Sequence, residues 1–187
     1  MELNLSTPHG SIVALDGSSW VGVCHGPPGQ NPTITTWKLQ TGDAGLLGEM
    51  LCDLRTRLRD LINASYGFGR VPIKTAIFEK PLLNQKTPNL VMQRKLYSIA
   101  GVIEMVCYEL EVDCFEIDAG TWKKAFTGTG RVSKKQKPYP PWVRCEELGW
   151  KCSTTDEADA CGIWTTFVNG LNDPSMQKLL GPLFVNS

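Results

Sequence analysis

The sequence predicts a single α/β domain built on a mixed five-stranded sheet, three antiparallel strands and then parallel ones, with helices on both faces. Three observations lead there. Short apolar, β-branched runs open the chain and are separated by turn residues. Two long stretches then carry apolar residues at the 3.6-residue period of a core-facing helix. Between and after those helices lie two more apolar runs, each ended by an acid, so the order reads β-β-β-α-β-α-β followed by helices. A strand, a crossover helix and a further strand give parallel neighbours.

The elements follow in order. Residues 1–10 are polar, contain Pro8 and predict a loose arm before a domain over residues 11–170; residues 171–187 form a tail of mixed composition. Residues 11–15 predict a strand that runs into Asp16. Residues 20–24 are its hairpin partner across Gly17-Ser18-Ser19. The run Gly26-Pro27-Pro28-Gly29 is loop, and residues 33–39 (TITTWKL) are a third strand. Apolar residues from Leu46 to Ile62 fall on one helix face, after Asp43. Residues 73–79 (IKTAIFE) form a fourth strand ended by Glu79, and residues 80–88 a polar loop. A second long helix is expected over residues 89–111, where the stripe Ile99, Val102, Ile103 and Val106 can bury one face on the sheet and offer its flank to a partner. Residues 112–117 are a fifth strand. A short helix at 121–126 leads to Gly128-Thr129-Gly130. Another helix starts at the last prolines of Pro138-Tyr139-Pro140-Pro141, which a first turn tolerates. A terminal helix covers residues 155–169.

Composition excludes several classes. The 187 residues are 42% hydrophobic, enough for one sizeable core, and carry no net charge, so the molecule as a whole is not a polycation. Its charge is uneven, however. Residues 122–151 hold eight basic side chains (Lys123, Lys124, Arg131, Lys134, Lys135, Lys137, Arg144 and Lys151) against Glu146 and Glu147, a net of six positive charges. Such a stretch is either a nucleic-acid contact or a solvated face. Trp122, Tyr139 and Trp142 interleave with it; they can stack on splayed bases or pack into the core, and Trp122 is expected to pack inward. Seven cysteines without a CxxC pair read as reduced, intracellular small hydrophobes rather than a disulfide frame or a zinc site. His9 and His25, beside proline and glycine, read as loop residues. Residues 1–10 lack a signal-peptide pattern and no apolar run approaches a membrane span, which predicts a cytoplasmic protein.

The chemistry rests on four acids. Asp16 and Glu79 end apolar strands, where a rigid frame would hold them, and Asp156 and Asp159 share one helix face at i and i+3. Each has an ordinary explanation: Asp16-Gly17 suits a hairpin turn, Asp156 an N-cap, and Glu79 a solvated strand end. As a set they point to oxygen-only ligation of Mg²⁺, with Mn²⁺ as a substitute, because clustered carboxylates need a cation to stay ionised. Paired ions of this kind hydrolyse phosphodiesters.

The chain resembles the RuvC-type Holliday-junction resolvases, a branch of the ribonuclease H-like superfamily, and looks most like their phage- or prophage-encoded members. The resemblance is carried by IVALDGSSWVGV, AIFEKP, MQRKLYSIAGVIEMVCYEL, FEIDAGTWKKAFTGTGRVSKKQ and DEADACGIW, and spans residues 11–167. It implies a ribonuclease H-like fold and Asp16, Glu79, Asp156 and Asp159 as metal-binding carboxylates. It also implies Lys123 and Lys134 as phosphate contacts, with Lys134 catalytic, in a homodimer that acts on four-way junctions and other branched DNA in a bacterial or phage-infected cell. Lys124, Arg131, Lys135 and Lys137 would extend the DNA surface. No small-molecule cofactor and no membrane is implied. Three departures stand out. Gly17 follows Asp16 directly where the family often has Asp-Pro-Gly, Leu82 stands where it often has an aromatic wedge at the junction, and Pro138 to Pro141 interrupts a segment that is otherwise a clean helix. Two other readings stay open: a nuclease of the same fold acting on RNA–DNA hybrid or forks, and a junction-binding protein without catalysis.

Overall fold

The computed structural model describes residues 10–40, 46–81, 89–171, 173 and 181–184. The elements are β1 (Ser11–Asp16), β2 (Trp20–Gly26), β3 (Thr33–Lys38), α1 (Leu47–Ser65), β4 (Ile73–Glu79), α2 (Leu90–Glu109), β5 (Asp113–Ile117), α3 (Ala119–Thr127), α4 (Pro140–Glu147), α5 (Thr155–Gly170) and β6 (Gly181–Phe184). The strand order across the sheet is β3-β2-β1-β4-β5-β6. β1 pairs antiparallel with β2, and β2 with β3; β4 lies parallel to β1, and β5 parallel to β4. The five expected strands are therefore present in the expected sense. The sheet has one strand more, because part of the tail returns as β6, antiparallel to β5. No apolar periodicity in that short segment announced it. The Leu82 position and the arm over residues 1–9 lie outside the described residues.

Two apolar layers flank the sheet. On one face Val13, Leu15, Val23 and Phe78 meet Met50, Leu54, Leu58 and Ile62 of α1 and Ile99, Ile103 and Val106 of α2. The core thus takes up most of the α2 stripe, and the apolar side chains that α2 leaves exposed are Leu90, Val91, Met92, Tyr97, Met105 and Tyr108. On the other face Ile12, Ala14, Cys24, Ile77 and Phe115 meet Trp122 and Phe126 of α3, Cys145 of α4 and the buried length of α5. Because strand side chains alternate, Asp16 shares its face with Ile12 and Ala14, and Glu79 shares its face with Ile77. Both acids therefore point to the α5 side. His25 lies in β2, opposite Val13 in the antiparallel pairing, rather than in a loop, and burial lowers its pKa. Among the described residues no helix is long and apolar enough to cross a membrane.

Candidate active site

Asp16 is the last residue of β1 and pairs in register with Gly22 of β2. Glu79 is the last residue of the parallel neighbour β4. The two carboxylates thus leave the same end of adjacent central strands. Helix α5 starts over this end. Its N-cap is Thr154, whose side chain accepts from the Glu157 backbone N–H, so Asp156 lies near the cap, in the first turn. The register at the helix start has a further anchor. Glu157 is buried, accepts from Thr36 on β3 at 2.8 Å and from the Ser153 backbone N–H, and so ties the entrance of α5 to the sheet.

Two glycines permit this approach. A Cβ on Gly22 would lie 1.9 Å from the Asp156 carbonyl oxygen, so only a bare backbone lets α5 begin this close to β2. A Cβ on Gly162 would lie 2.6 Å from the Trp122 ring, so the helix accepts the indole against its backbone. Trp122 is wholly buried, as expected, and its Nε1–H donates to Glu79 at 2.8 Å. The indole is thus both a core residue and the support of one acid. Tyr139, the residue before α4, is also buried and donates its hydroxyl to Asp159 at 2.5 Å. It is not a base-stacking side chain on the surface.

The Lys134 ammonium stands among three of the four acids, 2.5 Å from Asp156, 3.2 Å from Asp159 and 3.5 Å from Asp16. Burial opposes its charge, but Asp16, Asp159 and Asp156 hold its pKa above the ordinary lysine value. The acids respond in the opposite sense. Burial, reinforced by the charges of Asp159, Glu79 and Asp156 and only partly offset by Lys134, pushes Asp16 up to about 8. Burial also raises Asp159, against the pull of Lys134 and the hydrogen bond from Tyr139. One lysine does not neutralise this cluster. The donors are all carboxylate oxygens, and the lysine already stands among three of them where a cation would lie. That arrangement fits hard, oxygen-seeking divalent ions. Asp16, Glu79, Asp156 and Asp159 are the residues that would hold them.

The basic residues separate into two groups. Lys123 lies over the Trp122 ring, 5.0 Å from its centroid, and its charge reaches Asp159. Lys134 is in the cluster itself. Lys124, Arg131, Lys135 and Lys137 are exposed on α3 and the segment that follows, outside the acid cluster. Beside the acids, between β1, β4 and α2, a cleft of about 180 Å³ is lined by Asp16, Glu79, Lys80 and Leu96. Lys95 of α2 donates to Ser19 in the turn after Asp16. The sequence alone did not single out Lys95 or Gly22, and it left Tyr139 open between base stacking and the core, since each acquires its place only through a long-range contact.

No protein-family model and no curated protein sequence matches the chain. Solved structures do. Thermus thermophilus RuvC matches with a TM-score of 0.63 at 16% identity, over 92% of this chain and 99% of that one. T. thermophilus RuvC in complex with a Holliday junction substrate matches with a TM-score of 0.66, again at 16% identity, over 94% of this chain and all of that one. The likeness runs through nearly the whole of both chains, and it establishes the fold as that of RuvC, a ribonuclease H-like sheet with helices on both faces.

Proposed function

We propose that this chain is a metal-dependent, structure-selective DNA endonuclease that resolves four-way junctions and other branched DNA. The observation that carries the reading is the convergence of Asp16, Asp156 and Asp159 on Lys134, with Glu79 near enough for its charge to act on Asp16, on a fold whose solved neighbour is bound to a Holliday junction. An acid cluster kept only for stability is a poor explanation. Burying several like charges costs several kcal/mol per uncompensated ion, of the order discussed for buried ion pairs.

Bound by the four acids, a pair of Mg²⁺ ions, or Mn²⁺ in their place, would supply an acidified water and Lewis-acid stabilisation for in-line hydrolysis of a phosphodiester. The chain's own groups do the rest. Trp122 fixes the rotamer of Glu79, and Tyr139 fixes that of Asp159, so the ligand oxygens are oriented before substrate arrives. Lys134 is half exposed on a loop and balances the acids in the free protein. Once their charge is met from outside, it is free to turn towards the scissile phosphate and stabilise the negative charge that builds there. Lys123 and the exposed Lys124, Arg131, Lys135 and Lys137 hold the flanking backbone by phosphate contacts, which carry affinity rather than sequence.

A four-way junction has two-fold symmetry and must be cut on two opposing strands, while one chain carries one acid cluster. A C₂ homodimer meets that need. The exposed apolar residues of α2, Val91, Tyr97 and Met105 among them, are the surface such a dimer would bury. The test of the reading is a cleavage panel of four-way junction, replication fork, RNA–DNA hybrid and linear duplex, each with and without Mg²⁺. Junction and fork should be cut only with Mg²⁺. Preferential cutting of the hybrid, or tight junction binding with no cleavage under any divalent ion, would replace the proposal with one of its rivals.

A further inference from the structure

A second cluster of metal-ligating side chains, of cysteines rather than acids, lies where α4 packs on α5. Cys145 in α4, Cys152 in the segment between α4 and α5, and Cys161 in α5 are all buried, and their sulfurs lie within 4.8 Å of one another. Cys152 and Cys161 are 4.0 Å apart. Cys24 of β2, wholly buried, is within hydrogen-bonding reach of the Cys161 thiol. Three of the chain's seven cysteines therefore meet at one point, drawn from two helices and a loop, and Cys24 on the strand stands beside one of them. The sequence spacing gave no hint of this, since no two of the four are closer than seven positions.

The geometry points to a structural zinc site formed by Cys145, Cys152 and Cys161, with Cys24 as the fourth ligand. Zinc–thiolate bonds are about 2.3 Å long, so sulfurs that share a tetrahedral ion stand roughly 3.8 Å apart. The sulfurs of Cys145, Cys152 and Cys161 already lie close to that separation and need to contract by no more than about 1 Å, while Cys24 approaches from the Cys161 side. Sulfur donors select zinc over the hard ions that suit the carboxylates, so the two sites do not compete for the same metal. A closed, buried set without a water position is the pattern of a structural site rather than a catalytic one. The thiols also interact strongly. Hydrogen bonds from Cys145 and Cys161 hold the Cys152 thiol below the ordinary cysteine value.

The site has a consequence for the acids. α4 has only eight residues and is preceded by Tyr139, the support of Asp159; Cys152 sits four positions before Asp156. An ion shared by Cys145, Cys152 and Cys161 would clamp α4 and the entrance of α5 together. It would hold in place the half of the acid cluster that the sheet does not.

The proposal is tested on the whole chain carrying Asp16→Asn and Asp159→Asn, which removes the carboxylate site as a source of bound metal. After growth with zinc and gel filtration in EDTA, elemental analysis should find about one zinc per chain. Cobalt(II) exchanged into the protein should give intense visible bands and near-ultraviolet sulfur-to-metal charge transfer. Cys152→Ser and Cys161→Ser should lose both the zinc and the charge-transfer band, whereas Cys52→Ser, at an exposed thiol remote from the cluster, should keep them. The cobalt spectrum is read on protein with all its cysteines, so it stands even if a serine variant fails to fold. A metal-free chain after zinc growth, a cobalt spectrum without charge transfer, or a Cys152–Cys161 disulfide found by mass spectrometry would each overturn the proposal.

Discussion

Gly22→Ala isolates the part of the account that depends on backbone approach. The added methyl would stand 1.9 Å from the Asp156 carbonyl oxygen, 2.3 Å from its carbon and 2.9 Å from the Glu157 nitrogen. All three are backbone atoms, so no side chain can swing aside. Ordinary contact begins near 3.4 Å, and the first turn of α5 must therefore retreat by about 1.5 Å. Asp156 and Asp159 ride on α5, whereas Asp16 and Glu79 are fixed by the sheet, so the cluster splits along that line. A displacement of about 1 Å at a reacting centre costs on the order of 100-fold in rate. Overpacking of this kind costs about 1–3 kcal/mol in stability, which leaves most domains folded. The expected result is a folded protein, checked by circular dichroism and urea unfolding. It should bind junction DNA within a few-fold of the wild type but cleave it at least about 100-fold more slowly in single turnover. Gly48→Ala, at a site where a methyl meets nothing, serves as control and should behave as wild type. Near-wild-type cleavage by Gly22→Ala would refute the claim that α5 is held against β2 to assemble the four acids.

Other expectations follow from the same contacts. Tyr139→Phe removes the hydroxyl that meets buried Asp159 and should cost about 1.5–3 kcal/mol in urea unfolding at neutral pH; unchanged stability would mean that the carboxylate is satisfied otherwise. Lys134→Ala should slow cleavage far more than it weakens binding, while Lys135→Ala should weaken binding and lower the salt slope of log K by about 1. Equal, small effects on both quantities would put Lys134 outside the chemistry. Asp16 has a folded pKa of about 8 against an ordinary 3.8, so between those values the folded chain binds more protons than the unfolded one. Without metal, the melting temperature should therefore fall as pH rises through that window. Asp16→Asn should flatten the trend, and Mg²⁺ titrated near pH 7 should release protons measurable in weak buffer. A metal-free melting temperature that rises with pH and responds to Asp16→Asn would have the wrong sign.

Much of the fold is legible in the sequence because it is written in local patterns. The two 3.6-period stripes mark α1 and α2 to within a few residues, and the apolar runs that stop at Asp16 and Glu79 mark the ends of β1 and β4. Asp16 and Glu79 stand out for the same reason, since apolar patterning breaks off at them, and Asp156 and Asp159 through their i, i+3 spacing at the start of a helix. What local patterns cannot encode is which elements touch. Tyr139 lies among lysines and prolines and resembles a surface aromatic, yet the path of the chain into α4 buries it on Asp159. Trp122 could be assigned to the core, but its bond to Glu79 depends on Gly162 opening a slot in α5. Cys145, Cys152 and Cys161 look like separate small hydrophobes because the packing of α4 on α5, not a short motif, brings them together. β6 escapes notice because four residues in a mixed tail carry no usable period.

The central claim is that the four acids make this chain a junction-cutting nuclease, and one measurement reaches it most directly. A synthetic four-way junction with a fixed core, labelled on each strand in turn, is incubated in single turnover with wild-type chain or Asp16→Asn, with and without Mg²⁺. The account predicts paired cuts on opposing strands by the wild type with Mg²⁺ alone. Asp16→Asn should leave every strand intact while binding the junction as tightly or more tightly, because a negative charge facing phosphate has been removed. Cleavage by Asp16→Asn at the wild-type rate, or wild-type cleavage that persists in EDTA, would contradict it.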